Sequence, residues 1–471
     1  MKKSILCAAL SLCVFVPGAF AAEAAAFSAK DLQAASALRD AALSGNASYR
    51  ILESLTTEVG PRMAGTPADA RAVAWAEAKF KELGFDKVWK EAVTFQSWKR
   101  GAESAEIVSP YPQPLFVTAL GKSVGTPAGG VTAEVVRFAT LDALKAAAPE
   151  TVKGKIVFID HKMMSHKDYG LVGAGRRSGA PEAAKKGALA IVIRSVGTDS
   201  HRFPHTGVMG YEDKIVKIPA AAMSNADADM VARMIGRGKP VRLHLTLGSG
   251  DGPAYTSYNV IGEITGSELP DEPVIIGGHL DSWDLGTGAI DDGAGVAITM
   301  GAAEFIKRQG LKPRRTIRVV LYANEEAGLL GGAQYAEAHK AQIAMIQAVA
   351  ESDSGQGPVI ELNSYVRAEA LPLVKQMHTV LAPLGVAMGG NDAHPGPDMG
   401  VLKAAGAASF GLTEKGDDYF DLHHTPDDTF DKIEPARINQ STTAFAVFAW
   451  LAAQSPISFG SGDALKTKAS H

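Results

Sequence analysis

The stretch "TIRVVLYANEEAGLLGG", residues 316–332, runs from an apolar segment into two adjacent carboxylates, Glu325 and Glu326, and then into glycine-rich chain. "TIRVVLYA" reads as a strand and "EEAGLLGGAQYAEAHKAQ" as a helix, so both acids stand at a strand-to-helix turn. Buried like charges are costly unless cations or protons compensate them. The same alternation recurs around this stretch: "PVIIGGHLDS" reads as strand, "GAGVAITMGAAEFIKRQG" as helix and "MIQAVAESDS" as strand. That order predicts an α/β fold with a mostly parallel, twisted sheet and helices on both faces. In such sheets ligands sit beyond the carboxyl ends of the strands, where His279, Asp281, Glu325, Glu326 and Asp353 all fall.

His279 and Asp281 are two residues apart, so on a strand they point the same way, and a carboxylate there can fix the tautomer of the imidazole. Asp291 follows in "GTGAIDDGAG", whose glycines let backbone pass close to another group. Asp353 ends a strand in "ESDSG", and His424 lies in "HHTPDDT" before a turn set by Pro426. Each alone reads as an ordinary hydrogen-bonded polar residue. Together, two His, two Asp and one Glu, with no Cys, form an oxygen-and-imidazole set suited to a pair of divalent metals, best to zinc. Two cations also compensate the paired glutamates. Period-2 alternation lapses at the turn, so both can face one cleft, with Asn324 near the helix start and its favourable dipole. Glu326 then holds metal, while Glu325 stays off it as a general base toward water that the metals acidify.

The start, "MKKSILCAALSLCVFVPGAFAA", has the lysines, short apolar run and small-x-small site of a secretory leader, expected over residues 1–21. Both cysteines, Cys7 and Cys13, lie inside it, so the exported chain carries no disulfide and no thiolate ligand. A secreted or periplasmic protein follows, with no membrane segment after cleavage, because no other stretch is long and apolar enough to span a bilayer. The formal net charge of -4 includes Lys2 and Lys3 of the leader, and this balance, without a basic cluster, argues against nucleic acid. About 450 residues remain, enough for more than one domain. Between 120 and 248 the texture changes to short strands and helices without clustered carboxylates, which reads as an inserted domain. Its "GAGRRSG" (Gly173, Gly175, Gly179) lacks the preceding strand that a phosphate-binding loop requires.

In order, H-x-D, G-A-I-D-D, E-E-x-G, E-S-D-S-G and H-T-P-D-D-T resemble the motifs of the zinc-dependent peptidase family M28, and "GPRMAGTP", "KIPAAAM" and "PHTGV" resemble segments of one of its branches. The likeness spans nearly all of the chain beyond the leader. It implies a zinc-aminopeptidase-like peptidase domain over 22–119 and 249–471, with an insert over 120–248 resembling a protease-associated domain. It implies two Zn2+ per chain: one on His279 and Asp353, the other on Glu326 and His424, with Asp291 bridging. Glu325 is then the base and Asp281 supports His279. The H-T-x-x-D-T frame favours His424 over His423 as ligand. Tyr419 reads either as an aid to the oxyanion or as packing. Asp398 lies where relatives have a substrate-side loop, and Arg314, Arg315 and Arg367 are candidate clamps for an acidic side chain. A homodimer acting on unblocked dipeptides or short peptides is implied. The same metal site also serves amino-acid deacylases and glutaminyl cyclases, and some receptors keep the scaffold without catalysis.

Overall fold

The computed structural model describes residues 25–463, so the expected leader, with both cysteines, lies outside the described residues. Two eight-stranded sheets organise them. The first runs, in spatial order, Lys87–Lys99, Gly250–Ile264, Arg315–Tyr322, Leu269–His279, Ala348–Glu351, Ser409–Glu414, Val359–Tyr365 and Ala387–Met388. The four middle strands, Arg315–Tyr322 to Ser409–Glu414, are parallel. They are buried on both faces, and alternate residues divide between two cores. Val274, Ile276, Ile317, Val319 and Leu321 face the helices Ala294–Arg308 and Pro435–Gln454. Ile275, Val320 and Tyr322 face the other side, where Tyr335 and Ala336 of the helix Leu330–Ala338 pack. A strand covered on both faces needs the near-continuous apolar run that the sequence supplies.

Beyond this centre the sheet is mixed rather than mostly parallel. Lys87–Lys99, Gly250–Ile264 and Arg315–Tyr322 pair antiparallel, as do Val359–Tyr365 and Ser409–Glu414. Lys87–Lys99 alternates exposed and buried residues over its second half, and antiparallel pairing tolerates one wet face.

The second sheet occupies the span between the paired strands Lys87–Lys99 and Gly250–Ile264, and its last strand is Arg242–Leu247. It begins at Glu103–Ser109 and also takes Gln113–Leu115 and Val117–Ala119, ahead of the boundary expected at 120. Prolines 110, 112 and 114 obscure these short strands in the sequence. "GAGRRSG" lies inside the helix Tyr169–Lys185, where a Cβ on Gly179 would come within 2.8 Å of Ile191. Its glycines let helix and sheet approach.

The helix expected from Glu325 starts only at Leu330. Asn324 (φ 57°) and Leu329 (φ 59°) take left-handed backbone that a helix cannot contain. The glutamates therefore stand a full turn ahead of the helix, and its dipole, which fades within one turn, does not compensate them. No helix among the described residues is long and apolar enough to cross a membrane.

The segment "RMAGTPADA" is pinned to the first sheet by Asp69, which accepts hydrogen bonds from Ser257 Oγ at 2.7 Å and Gly65 N at 3.2 Å. Burial pushes its carboxyl up to about 6, from 3.8. The unfolded chain loses this proton first, so Asp69 favours the folded state below about pH 4 and that contribution is lost as pH rises through 6. Asp69→Asn is expected to flatten the fall in stability between pH 4 and 6, as read from urea midpoints; an unchanged profile would contradict this.

Candidate metal centre

Four parallel strands deliver the polar residues to one edge. His279 is the last residue of its strand, Asp353 lies two beyond Glu351, Glu325 and Glu326 follow Tyr322, and His424 follows Ser409–Glu414 through the short helix Tyr419–Leu422. Asp291 comes from the loop before the helix Ala294–Arg308, and the Asp291–Asp292 peptide is cis.

Asp291 stands between two imidazoles. Its Oδ1 lies 3.1 Å from His279 Nε2 and its Oδ2 lies 3.0 Å from His424 Nε2. Asp353 Oδ1 is 3.6 Å from His279 Nε2, and Glu326 Oε2 is 3.1 Å from His424 Nε2. All five donors expected from the sequence therefore meet at one point. His423 turns away: its Nδ1 meets the Tyr419 carbonyl at 2.9 Å and its Nε2 the Tyr169 hydroxyl at 3.1 Å.

Burial alone would lower both ligand-type imidazoles, but the Asp291 carboxylate that accepts from His279 and the Asp353 carboxylate nearby hold His279 well above its usual value, and Glu326 and Asp291 do the same for His424. Burial would raise Asp291, yet the two imidazoles hold it well below the carboxylate range. Burial pushes Glu326 up to about 7. The carboxylates thus draw protons onto the imidazoles, and a divalent cation would replace those protons. Glu326 Oε1 and Asp353 Oδ1 are buried without a hydrogen-bond partner, as expected of donors reserved for a cation. The residues fit a metal pair.

Glu325 is partly exposed, and its backbone N–H donates to Asp281 Oδ1 at 3.0 Å. Burial pushes its carboxyl well above the usual range, against the pull of His279. Asp281 supports His279 through its main chain rather than its carboxylate: Nδ1 meets the Asp281 carbonyl at 3.0 Å, while the nearer carboxylate oxygen is 3.8 Å away. Tyr419 stacks on His423 at 4.4 Å between centroids and 17° between planes. Asp398 lies in the turn before the helix Gly400–Ala404, where its side chain is buried and accepts from Gly332 N at 3.0 Å, and burial pushes it up to about 8. The candidate arginine clamps stand at the opposite edge of the sheet. Arg314 pairs with Glu268 and Arg315 with Glu272 before the strand that Arg315 begins, and Arg367 follows a strand that runs antiparallel to Ser409–Glu414.

Sequence reasoning missed the residues that hold the ligands in place. Arg62, fully buried, donates to the carbonyls of Leu280, Thr287 and Gly288. Asp428 accepts from the N–H groups of Ile290 (2.6 Å) and Asp291 (3.2 Å), and Asp292 accepts from those of His279 and Gly295, each at 3.0 Å. The bond from His279 needs Gly278, because a Cβ there would stand 2.3 Å from Asp292 Oδ2. The second sheet contributes too. Thr206 N–H donates to the His424 carbonyl at 3.0 Å, and the His205 ring stacks on that of His424 at 5.1 Å. Ring nitrogens of His205, His423 and His424 lie within 4.8 Å of one another, but both nitrogens of His423 are engaged and Arg176 stands beside His424, which disfavours a further cation. "PHTGV" and "GPRMAGTP" carried His205 and Arg62 in plain view, without spacing to mark them.

Between the sheets runs a groove of about 610 Å³ lined by Trp98, Lys122, Tyr211 and Asn324; Trp98, Lys122 and Asn324 also border the pocket that contains Asp281 and Glu326. A further groove of about 480 Å³ on the Pro67–Glu82 helix is lined by none of His279, Asp291, Glu326, Asp353 and His424.

Residues 259–449 match Peptidase family M28, and relatives extend the likeness across the chain, which belongs to that family and is a metallopeptidase. Carboxypeptidase Q of Mus musculus is 38% identical over 408 residues, covering 87% of this chain and 86% of that protein; the Homo sapiens Carboxypeptidase Q is 36% identical, with 87% and 85% covered. A crystal structure of a peptidase M28 precursor from Shewanella amazonensis SB2B is 50% identical, with a TM-score of 0.89 over 91% of this chain and 98% of that one. A zinc aminopeptidase from Bacillus subtilis, 20% identical, shares the fold, with a TM-score of 0.61 over 86% of this chain and 93% of its own.

Arg62→Ala would strip the guanidinium bonds from the carbonyls of Leu280, Thr287 and Gly288, of which Gly288 keeps its bond from Gly293 N–H, and remove the cation beside Asp428 and Asp292. Loss of one partner from a buried charge network costs about 3–5 kcal/mol, so the urea midpoint of the metal-free protein is expected to drop by a corresponding amount. A shift below about 1 kcal/mol would contradict the bracing role.

Proposed function

We propose that this protein is a di-zinc exopeptidase that hydrolyses unblocked dipeptides or short peptides outside the cytoplasm. The observation that carries the reading is the Asp291 carboxylate, which turns one oxygen to each of two imidazoles. His279 and Asp353 would hold one zinc, Glu326 and His424 the other, and Asp291 both. Bound there, the ions supply Lewis acidity and acidify water.

The chain supplies the rest. Glu325 stands beside this set without a hydrogen bond from its carboxylate to any of the five ligand residues among the described residues, so it is free to take the proton of the attacking water and return it to the leaving nitrogen. Asp281 fixes the Glu325 backbone through its carboxylate and the His279 tautomer through its carbonyl. The groove between the sheets, about 610 Å³, suits a ligand the size of a short peptide. The names of the Carboxypeptidase Q relatives support exopeptidase action, and the expected leader supports export to the periplasm or the medium.

The deciding experiment measures free amino acids released from a panel of unblocked dipeptides, before and after metal removal and zinc restoration. Hydrolysis that vanishes with the metal and returns with zinc is expected; a metallated protein that spares every dipeptide and instead cleaves acyl-amino acids would replace this reading with a deacylase. Glu325→Gln is expected to lower kcat by about 10²-fold or more with zinc content unchanged, and near-full activity would remove Glu325 as the base. His424→Ala is expected to lose one of the two zincs while His423→Ala keeps both, as measured by metal analysis; the reverse pattern would exchange their roles.

A further inference from the structure

The two imidazoles that face Asp291 differ in what holds their outer nitrogens. The His279 Nδ1 meets a carbonyl, that of Asp281, at 3.0 Å, and Asp292 approaches the same residue through its backbone N–H. An acceptor on the outer nitrogen is the arrangement that raises the basicity of a metal-bound imidazole. The His424 Nδ1 has one hydrogen-bond-range neighbour among the described residues, and it is a guanidinium nitrogen, Arg176 Nη1, at 3.5 Å. A guanidinium only donates, and a neutral imidazole that gives Nε2 to a cation carries its own proton on Nδ1. Two donors then face each other, with a positive charge behind the ligand.

That charge is fixed and has no carboxylate counterpart. Arg176 is 5% exposed, and among the described residues no carboxylate oxygen lies within 4.0 Å of it. Its other bonds go to neutral acceptors, the Thr206 carbonyl at 3.3 Å and the Tyr169 hydroxyl at 3.1 Å. Both neighbours are held in turn: Tyr169 OH also meets His423, and Thr206 N–H is bonded to the His424 carbonyl. His424 itself sits at φ 60°, a backbone conformation that surrounding contacts must enforce. The guanidinium therefore cannot swing away when a cation arrives. Around His279 stand Asp281, Asp292 and Asp353; around the outer side of His424 stand Arg176 and the uncharged ring systems of His205 and His423.

We propose that the two metal positions are unequal, with the His279–Asp353 half filling first and the Glu326–His424 half binding its cation more weakly, and that Arg176, a positioning residue lent by the second sheet, sets the difference. The inference rests on the two-cation reading of the site. Its consequence is an enzyme whose second cation exchanges, so that occupancy tracks the available metal.

The test is a calorimetric titration of the metal-free full-length protein with zinc. Two classes of site are expected, separated by tenfold or more in Kd, with the weaker class absent in His424→Ala and the tighter class absent in His279→Ala. Arg176→Met is expected to tighten the weaker site by threefold or more and leave the tighter one in place, whereas Arg176→Lys keeps the separation. Two equal sites in the unmodified protein would overturn the inequality, and a separation untouched in Arg176→Met would overturn the role of Arg176; either result leaves the metal pair standing. Binding of one zinc or none would overturn both. Should Arg176→Met fail to fold, as judged by its unfolding transition, the unmodified protein and the two histidine variants still decide whether the halves differ and which is weaker.

Discussion

The surplus of buried negative charge around Asp291 is the constraint on which the rest of the architecture depends. Asp281, Asp291, Asp292, Glu326 and Asp428 are each less than a tenth exposed and lie at one edge of one sheet. Arg62, fully buried, is the cation that the fold places among them. An arrangement of this kind tolerates no slack, because each unpaired charge out of water is expensive. Hence the surrounding backbone is spent on holding carboxylates: Ile290, Asp291, His279, Gly295 and Glu325 all give their N–H groups to acidic side chains. What the protein itself leaves unneutralised is the attraction that a pair of divalent ions can satisfy.

The second sheet is part of this arrangement. Trp98 of the strand Lys87–Lys99 and Trp283 of the loop after His279 pack into its core alongside Ile156, Phe158 and Val192, and Trp283 meets the His424 ring edge-on at 5.9 Å. Arg100 bonds Asp284 on one side and the Ala119 carbonyl on the other. Rigidity at the metal-facing edge is therefore shared between two cores, each with its own apolar filling.

The candidate ligands were visible in the sequence because each interrupts an apolar run at the point where a strand must end. His279 after "PVIIGG", Glu325 and Glu326 after "TIRVVLYAN" and Asp353 after "AVAES" are polar residues that a buried strand would not otherwise carry. Their bracing was not visible. Arg62 lies more than two hundred residues from the carbonyls it holds, and nothing local to "GPRMAGTP" distinguishes a buried guanidinium from a solvated one. The role of Asp281 divides between its carbonyl and its carboxylate, which side-chain periodicity cannot separate. Mixed strand direction escaped for a different reason: antiparallel neighbours brought together across an insertion leave no turn in the sequence to announce them. The late start of the Leu330 helix reflects left-handed backbone at Asn324, a residue type that tolerates it, and at Leu329, a helix former that gives no sign of it in the sequence.

Lys99 and Gly250 are register partners, so the chain that leaves the first sheet at one returns to it directly opposite. Pairing strands so distant in sequence ordinarily carries the entropy of closing a long loop and slows folding. Here the intervening chain is itself ordered into a sheet whose ends emerge side by side. Once formed, it presents Lys87–Lys99 and Gly250–Ile264 to each other as a two-residue turn would, and a remote contact becomes a local one. In topological terms the whole second sheet is the bend of a hairpin, and the entropy of closing that long loop is met by the folding of the bend itself.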